Sequence, residues 1–551
     1  MARDYRRQDL TRDLVAGLVL ATMLVPQGMA YAELTGLPPV TGLYTTIAAL
    51  VGYAIFGPNR VLVLGPDSSL APVIAAVVLP LAAGDAGRAV ALASALSLAT
   101  GLVCLLAGSA RLGAVTELLS KPVRIGYLNG IAVIVLISQV PKALGFSVEA
   151  DSTLVALRVT WEGIRAGDTV TAALVTSLLS LAVILVARRI WPGAPGVLAA
   201  VVLSLVAVEL FDLERLLDTV GALPQGLPRF VIPNVESSDL GALAIGAFAV
   251  ALVSFADTGA LSTATAIKAG ARSDPNAEAK ALGVSNLLSG FLRGFPTSAS
   301  SSRTAVALSV GSRTQLTGLV AAIGVMVMLV WVPGLLSDLP SATLAAIVIS
   351  AAVVLFDWDA VRWLWKVRRS EFFLSLGAFL GVVLVGVLEG LLIAVILSLA
   401  NFIRKAWHPH SAELVRVPGL KGYHDRERHP EGSEIPELLI LRFDAPLFFA
   451  NAPTFARRLH EQLSETTRPL TRLIVVGDAM TDIDTTGAEI LTGILDDLDR
   501  RGLGFGFAGL KGTVKDRLKG YGLYERIGEG NFFPTVGSAV AAHREATGLD
   551  D

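Results

Sequence analysis

The sequence predicts a polytopic α-helical membrane protein that ends in a soluble α/β domain. Three observations predict it. Of 551 residues, 53% are hydrophobic and only 17% are charged, against roughly 25% charged in soluble domains. Long apolar stretches recur as far as Phe402, as bilayer-crossing helices require. Beyond Phe402 the composition turns polar, and strand-like and helix-like segments alternate.

The first apolar stretch sets the pattern. Residues 14–59 contain a single charge, Glu33. At ~1.5 Å per residue they would make a helix of roughly 69 Å, more than twice the hydrocarbon core. The chain must fold back, and "GLPPVTG" at 36–42 carries the prolines and glycines that stop a helix. Further apolar segments run from 66 to 211 and from 240 to 402, about a dozen spans by hydropathy alone. Arg3, Arg6, Arg7 and Arg12 precede the first span, and Arg404 and Lys405 follow the last. Basic flanks mark the cytoplasmic side, so both termini are expected in the cytoplasm and the span number even. Residues 1–11 read as a cytosolic N-terminal segment, 12–403 as the membrane domain, 404–436 as a linker and 437–551 as the soluble domain.

In that domain "ELLILRF", "LTRLIVVG" and "LGFGFAGL" read as strands. "APTFARRLHEQLSE", "TTGAEILTGILDDLDRRG" and "PTVGSAVAAHREATG" read as helices. Their alternation predicts a small mixed sheet covered by helices.

Several function classes lose support. The net charge of −2 comes with no basic face for nucleic acid. The single cysteine, Cys104, lies in an apolar run and reads as a packing residue. No Cys/His cluster has metal-site spacing. The six histidines, between 408 and 460 and at 543, read as solvated linker and surface residues. No catalytic constellation or Walker glycine loop is evident, so an enzyme is not expected. The polar start "MARDYRRQDLTRD" does not read as a cleavable signal.

Two places stand apart. "LGPDSSLAPVIAAVVLPLAAG" (64–84) and "FPTSASSSRTAVALSVGSRTQ" (295–315) each open with proline and small hydroxyl residues. Each continues as a segment short for a full span. Interrupted segments at matching places in two halves point to a transporter site between inverted repeats. A half-helix ending inside the membrane leaves about four N–H groups unpaired and carries roughly half a positive charge. Two such ends facing each other make an anion site, to which Ser68, Ser69, Ser301 and Ser302 add hydroxyls. Arg303 costs ~2.5–3.5 kcal/mol in lipid even on the lenient insertion scale, and is expected beside a bound anion. Its alternatives are to neutralise a carboxylate for structure alone or to reach an aqueous edge.

These residues resemble a known family. "LVPQGMAYAELTGLPPVTGLYTT" (24–46), "LGPDSSLAP" (64–72) and "SRTAVALSVGSRTQLTG" (302–318) resemble the sulfate permease (SulP) family, bacterial relatives of the animal transporters that include prestin and pendrin. "DIDTTGAEIL" (482–491) resembles the signature loop of a STAS domain. The resemblance implies fourteen membrane segments as two inverted repeats of seven, about 12–211 and 238–402. It implies the uracil-permease fold, with segments one to four and eight to eleven as a mobile core and the rest as a gate domain. It implies transport of sulfate, bicarbonate, chloride, oxalate or dicarboxylates, in bacteria by H⁺ or Na⁺ symport. Carried over, the substrate site falls on Gln27, where Pro26 and Gly28 would loosen segment one, on Ser68 and Ser69, and on Ser301, Ser302 and Arg303. Segment eight, "FADTGALSTATA", supplies Asp257 for cation coupling, with Thr258 and Thr263 as accessories.

Two carboxylates compete for the coupling role. Glu33 is the only charge in 14–59, and Asp257 the only one in 240–267. An isolated carboxyl in low dielectric holds a proton readily. The alternatives are interfacial exposure for Glu33, and for Asp257 an ion pair with Arg303 or a Na⁺ site. In the STAS loop Asp484, Thr485, Thr486 and Gly487 open a helix. The resemblance puts Thr486 at the place where anti-sigma-factor antagonists are phosphorylated, and an N-cap or turn role for the two threonines is preferred.

The reading is a secondary active anion transporter in the cell's plasma membrane, with no cofactor beyond H⁺ or Na⁺. It is expected as a homodimer with no nucleic-acid partner, and the STAS domain is a place for a regulatory protein. The substrate leans to an organic dicarboxylate such as fumarate or succinate, with sulfate or bicarbonate as alternatives. A channel or voltage-responsive motor, or a membrane sensor, are the competing classes; a sensor needs no paired half-helix site.

Overall fold

The structure, a computed structural model, describes residues 7–113, 120–148, 150, 152–190, 196–268 and 272–548. Arg3 and Arg6 lie outside them. Two compact units divide the chain, one through Ser398 and one from Leu399.

The first unit is helical and reads as two halves. The first half holds α1 (Arg7–Leu34), α2 (Pro39–Phe56), a two-residue strand β1 (Leu64–Gly65), α3 (Ala71–Ala82), α4 (Ala86–Ser109), α5 (Lys121–Leu144), α6 (Thr153–Ala166), α7 (Thr171–Ile190) and α8 (Gly196–Leu210). The second repeats the order with α9 (Leu240–Lys268), α10 (Pro275–Phe291), β2 (Ser298–Ala299), α11 (Ser301–Val310), α12 (Leu316–Trp331), α13 (Ser341–Leu355), α14 (Trp358–Val367), α15 (Arg369–Leu380) and α16 (Val387–Trp407). Helices α6 and α14 are short connectors at the same place in each half. Setting them apart leaves seven segments per repeat among the described residues, the fourteen that the resemblance implies.

Local chemistry sets the boundaries. Pro39 starts α2, and the break falls inside "GLPPVTG" as expected. Asp85 caps α4 by accepting from the Gly87 and Arg88 N–H groups, and Asp274 caps α10 by accepting from Asn276 and Ala277. Pro26 lies inside α1, which runs on through it as helix.

Helices α1–α4 pack with α9–α12, while α5 and α7 pack with α13 and α5 also with α15. Small residues let backbones approach, as membrane packing favours. Along α4 and α10, a Cβ at Gly101 would stand 2.8 Å from the Gly283 carbonyl oxygen. Ser97 donates to the Asn286 carbonyl across the same seam (2.8 Å). Cys104 is buried there as a packing residue. On the outer face of α9, Ile245 and Phe248 are 72% and 57% exposed. Such side chains suit acyl chains rather than water, and eight described helices are long and apolar enough to cross a membrane.

The second unit is a mixed six-stranded sheet in the order β4-β3-β5-β6-β7-β8. Its strands are β3 (Ser411–Arg416), β4 (Tyr423–Asp425), β5 (Glu437–Phe443), β6 (Leu470–Val476), β7 (Gly504–Ala508) and β8 (Phe532–Phe533). Strands β5 to β8 run parallel, whereas β3 is antiparallel to β5 and β4 to β3. The stretch read as a linker, 404–436, therefore carries two strands of this sheet. Its low hydrophobicity hid them, because β4 is a short edge strand. Helices α17 (Ala452–Glu465), α18 (Thr485–Arg500), α19 (Gly512–Gly520), α20 (Leu523–Ile527) and α21 (Val536–Thr547) cover the sheet. Strand alternation sorts the core. Leu439, Leu441, Leu473 and Val475 join a cluster with α17 and α18 residues, and Leu438, Ile440, Ile474 and Val476 join one with Ala539 and Val540 of α21. His543, read as a surface residue, is 1% exposed and bonds the Pro436 carbonyl (3.0 Å).

Candidate functional site

The two interrupted segments meet. Strands β1 and β2 pair antiparallel, Leu64 opposite Ala299 and Gly65 opposite Ser298. Extended backbone at membrane depth must find partners inside the protein, and here side chains supply them. Ala299 N–H donates to Thr258 Oγ1 (3.2 Å), Val63 N–H to Thr304 Oγ1 (3.2 Å) and Thr297 N–H to Asn286 Oδ1 (2.9 Å). Ser254 Oγ donates to the Thr297 carbonyl (2.6 Å). The hydroxyl-rich composition of both segments thus has a structural use before any functional one.

Helices α3 and α11 start from this ladder at the wall of a cavity of about 850 Å³. Its lining comes from both bundles. Gln27 and Tyr31 of α1, Asp67, Ser68 and Ser69 before α3, Asp257 of α9, and Ser300, Ser301 and Ser302 at α11 supply polar groups from the first bundle. Lys121 and Arg124 of α5 and Arg188 of α7 supply cations from the second.

The sequence treated the two helix starts alike; the structure separates them. At α11 the side chain of the cap residue Ser300 accepts from no backbone N–H of the first turn. Its hydroxyl instead pairs with Ser302 (3.1 Å). At α3 the chain supplies its own anion. Asp67 Oδ2 accepts from Ser69 N–H (3.1 Å) and Ser69 Oγ (2.7 Å), and the Asp67 carbonyl accepts from Ala71 N–H (3.1 Å). Among the described residues no carboxylate takes the corresponding place at the α11 start.

Arg303 is 1% exposed and does not line the cavity. It lies behind the wall, where Nη1 donates to the Pro66 carbonyl and Nη2 stands 3.5 Å from Asp67 Oδ1. Its Nε and Nη2 make no hydrogen bond among the described residues. The carboxylate it faces is Asp67, not Asp257. Asp257 reaches the same cluster from α9, its Oδ2 3.0 Å from Ser69 Oγ.

The remaining candidates separate. Thr258 is fully buried and holds the ladder. Thr263 is exposed and outside the cavity. Glu33 lines a separate cavity of about 210 Å³ with Lys142 and Asp218. Sequence reasoning missed Asp67 although it stands inside the quoted motif, because beside Pro66 it reads as a turn residue. It also missed Lys121, Arg124 and Arg188, which look like ordinary basic ends of spans.

In the second unit Asp484 is the N-cap of α18, in place of the threonines. Its Oδ1 accepts from Gly487 N–H (2.7 Å) and its Oδ2 from Phe449 N–H (2.8 Å). Asp is the better cap because its carboxylate also meets the positive helix end. Asp484→Ala should destabilise this helix start by about 1–2 kcal/mol, read as faster hydrogen exchange at 485–488 with uptake retained.

Comparison with known proteins agrees with this architecture. Residues 10–378 match the Sulfate permease family and residues 429–539 the STAS domain. A "Probable sulfate transporter" of Mycobacterium tuberculosis (strain ATCC 25618 / H37Rv) is 39% identical over 543 residues, 98% of this chain and 97% of that protein. Human "Solute carrier family 26 member 6" is 32% identical over 83% of this chain and 63% of its own. The inward-facing structure of the murine solute carrier 26 family member A9 anion transporter superposes with a TM-score of 0.91 at 20% identity, covering 99% of this chain and 93% of that one. The transmembrane domain of a cyanobacterium bicarbonate transporter gives 0.62 at 22% identity, covering 72% and 98%. With the fold, both matched regions and these relatives in agreement, the chain belongs to the sulfate permease family of anion transporters and carries a C-terminal STAS domain.

Proposed function

We propose that the chain is a proton-coupled symporter of a small divalent anion, of the organic dicarboxylate type, working by alternating access in the cell's plasma membrane. One observation carries the reading: a cavity between two helix bundles in which an open helix start faces two carboxylates. The α11 end binds the anion, with Ser300, Ser301 and Ser302 and its first N–H groups as donors. Gln27 fixes orientation from α1. Arg303 acts from behind the wall, adding positive potential and holding the Pro66–Asp67 turn. Lys121, Arg124 and Arg188 raise the local concentration of anions in the cavity.

The carboxylates supply coupling. Two unit charges of like sign 4 Å apart repel by about 4 kcal/mol at an effective dielectric of 20. An anion is therefore disfavoured beside fully ionised Asp257 and Asp67, and a proton on the pair relieves that repulsion. Basic residues at both ends, Arg12 in α1 and Arg404 and Lys405 in the last turn of α16, support cytoplasmic termini.

The test is uptake into liposomes by the purified protein, with labelled fumarate, sulfate and bicarbonate, each with an inward proton or sodium gradient. Fumarate accumulation driven only by protons is the expected result. Sulfate is the second reading, favoured by the names of the mycobacterial relatives, and proton-driven sulfate uptake without fumarate uptake would select it. Sodium-driven uptake, or flux indifferent to both gradients, would refute proton symport.

A further inference from the structure

Ser69 stands between two carboxylates and has one hydroxyl hydrogen. Its Oγ is 2.7 Å from Asp67 Oδ2 and 3.0 Å from Asp257 Oδ2. Both separations are hydrogen-bond distances, and a hydroxyl donates only once. If both carboxylates are ionised, one of the two contacts sets lone pair against lone pair. The contact becomes favourable when one carboxyl carries a proton. The hydrogen order then runs Asp257 Oδ2–H to Ser69 Oγ, and Ser69 Oγ–H to Asp67 Oδ2. In the reverse order Asp67 carries the proton and Ser69 donates to Asp257. Both orders require one proton for the pair.

Charge leads to the same count. The buried cation of this cluster is Arg303, whose Nη2 forms an ion pair with Asp67 Oδ1 at 3.5 Å. One guanidinium and two carboxylates leave one negative charge in excess, which a single proton cancels. The other groups facing the pair are Tyr31 from α1 and Arg124 and Tyr127 from α5. The tyrosines bring hydroxyls, and Arg124 is half-buried on the cavity wall, less buried than Arg303.

We infer that Asp67, Ser69 and Asp257 form a single shared-proton site, in which Asp67 is a full partner of Asp257 and Ser69 passes the proton between them. The inference rests on the proton-coupled reading above and names the residues that hold the proton. Transfer is balanced: Ser69 takes the proton of one carboxyl and gives its own hydrogen to the other.

The test uses the full-length protein in lipid, and infrared difference spectra of wild type minus variant at neutral pH. A shared proton predicts that the protonated-carboxyl band is lost in Asp67→Asn and equally in Asp257→Asn, and that the double variant loses no more than either single one. A proton held by Asp257 alone would survive Asp67→Asn, and that result overturns the inference. Asp67→Asn also strips Arg303 of its carboxylate and can fail to fold. Ser69→Ala then decides, because it keeps both carboxyls and removes the bridge. The band should shift, and the pH midpoint of uptake should move by about one unit or more, a tenfold change in proton affinity. An unmoved band and midpoint in Ser69→Ala overturn the inference. Proton-driven uptake by wild type, measured beside them, separates the two failures. If it is present while the variants behave normally, the shared site is wrong and proton symport stands; if it is absent, both fall.

Discussion

Arg303→Ala abolishes uptake, by about 100-fold or more, and costs the fold about 3–5 kcal/mol. The stability loss follows from burial. The guanidinium is 1% exposed and the Asp67 side chain 14%, and removing one partner of a buried pair leaves an uncompensated charge. The uptake loss follows from position. Arg303 holds the Pro66 carbonyl and faces Asp67, so its removal frees the turn that places Ser68 and Ser69, and a misplacement of about 1 Å at a site costs on the order of 100-fold. Arg303→Lys should not restore function, since an ammonium lacks the planar fork that reaches both groups. Thermal unfolding in detergent and liposome uptake check the two parts. Normal uptake by Arg303→Ala would show that the turn holds without it.

Gly42→Ala should be the most damaging of the conservative changes in α1 and α2. A Cβ at Gly42 would lie 1.8 Å from the Gly28 carbonyl oxygen and 2.4 Å from its carbon. Both are backbone atoms of a neighbouring helix and cannot swing aside. The helices must part, at a cost of about 3 kcal/mol, the upper part of the usual overpacking range. Gly28 adjoins Gln27 and lies one turn from Tyr31, so the displacement also reaches the cavity wall. The reciprocal change is milder. At Gly28 a Cβ would meet Thr46 Oγ1 at 3.0 Å and the Gly42 carbonyl at 3.1 Å, which a small shift relieves. Unfolding midpoints should rank wild type above Gly28→Ala, and Gly28→Ala well above Gly42→Ala. Equal midpoints for the two variants would contradict the packing argument.

Much of this architecture was legible because it follows from local chemistry. The prolines at 38 and 39 stop and restart helices wherever the rest of the chain goes. The strands "ELLILRF" and "LTRLIVVG" are short apolar runs of the length a buried strand needs. The paired half-helices announced themselves by composition alone. Less legible were facts about partners far apart in sequence. Nothing near Arg303 tells that its carboxylate comes from the loop before α3. Nothing near Ser69 tells that α9 brings Asp257 within hydrogen-bond distance. Glu33 and Asp257 looked equivalent as lone charges in apolar runs, and only packing places one with Lys142 and the other with Ser69. The asymmetry of the two helix starts was hidden for a different reason. Asp67 was written in the motif, but a carboxylate after proline has a bland explanation as a turn residue. Thr485 and Thr486 misled in the same way, since the better cap stood one residue earlier.

The two-residue ladder between β1 and β2 has a mechanical consequence. Leu64 and Gly65 are stitched to Ala299 and Ser298, and side chains from α9, α10 and α11 lock the adjoining backbone. The halves of the site therefore cannot open like jaws, because parting them would break bonds that nothing in the membrane replaces. The clasp must travel whole. A displacement of α3 along this seam would carry α11 with it, and the packing that such a move would have to change is that of the first bundle on α5, α7 and α13.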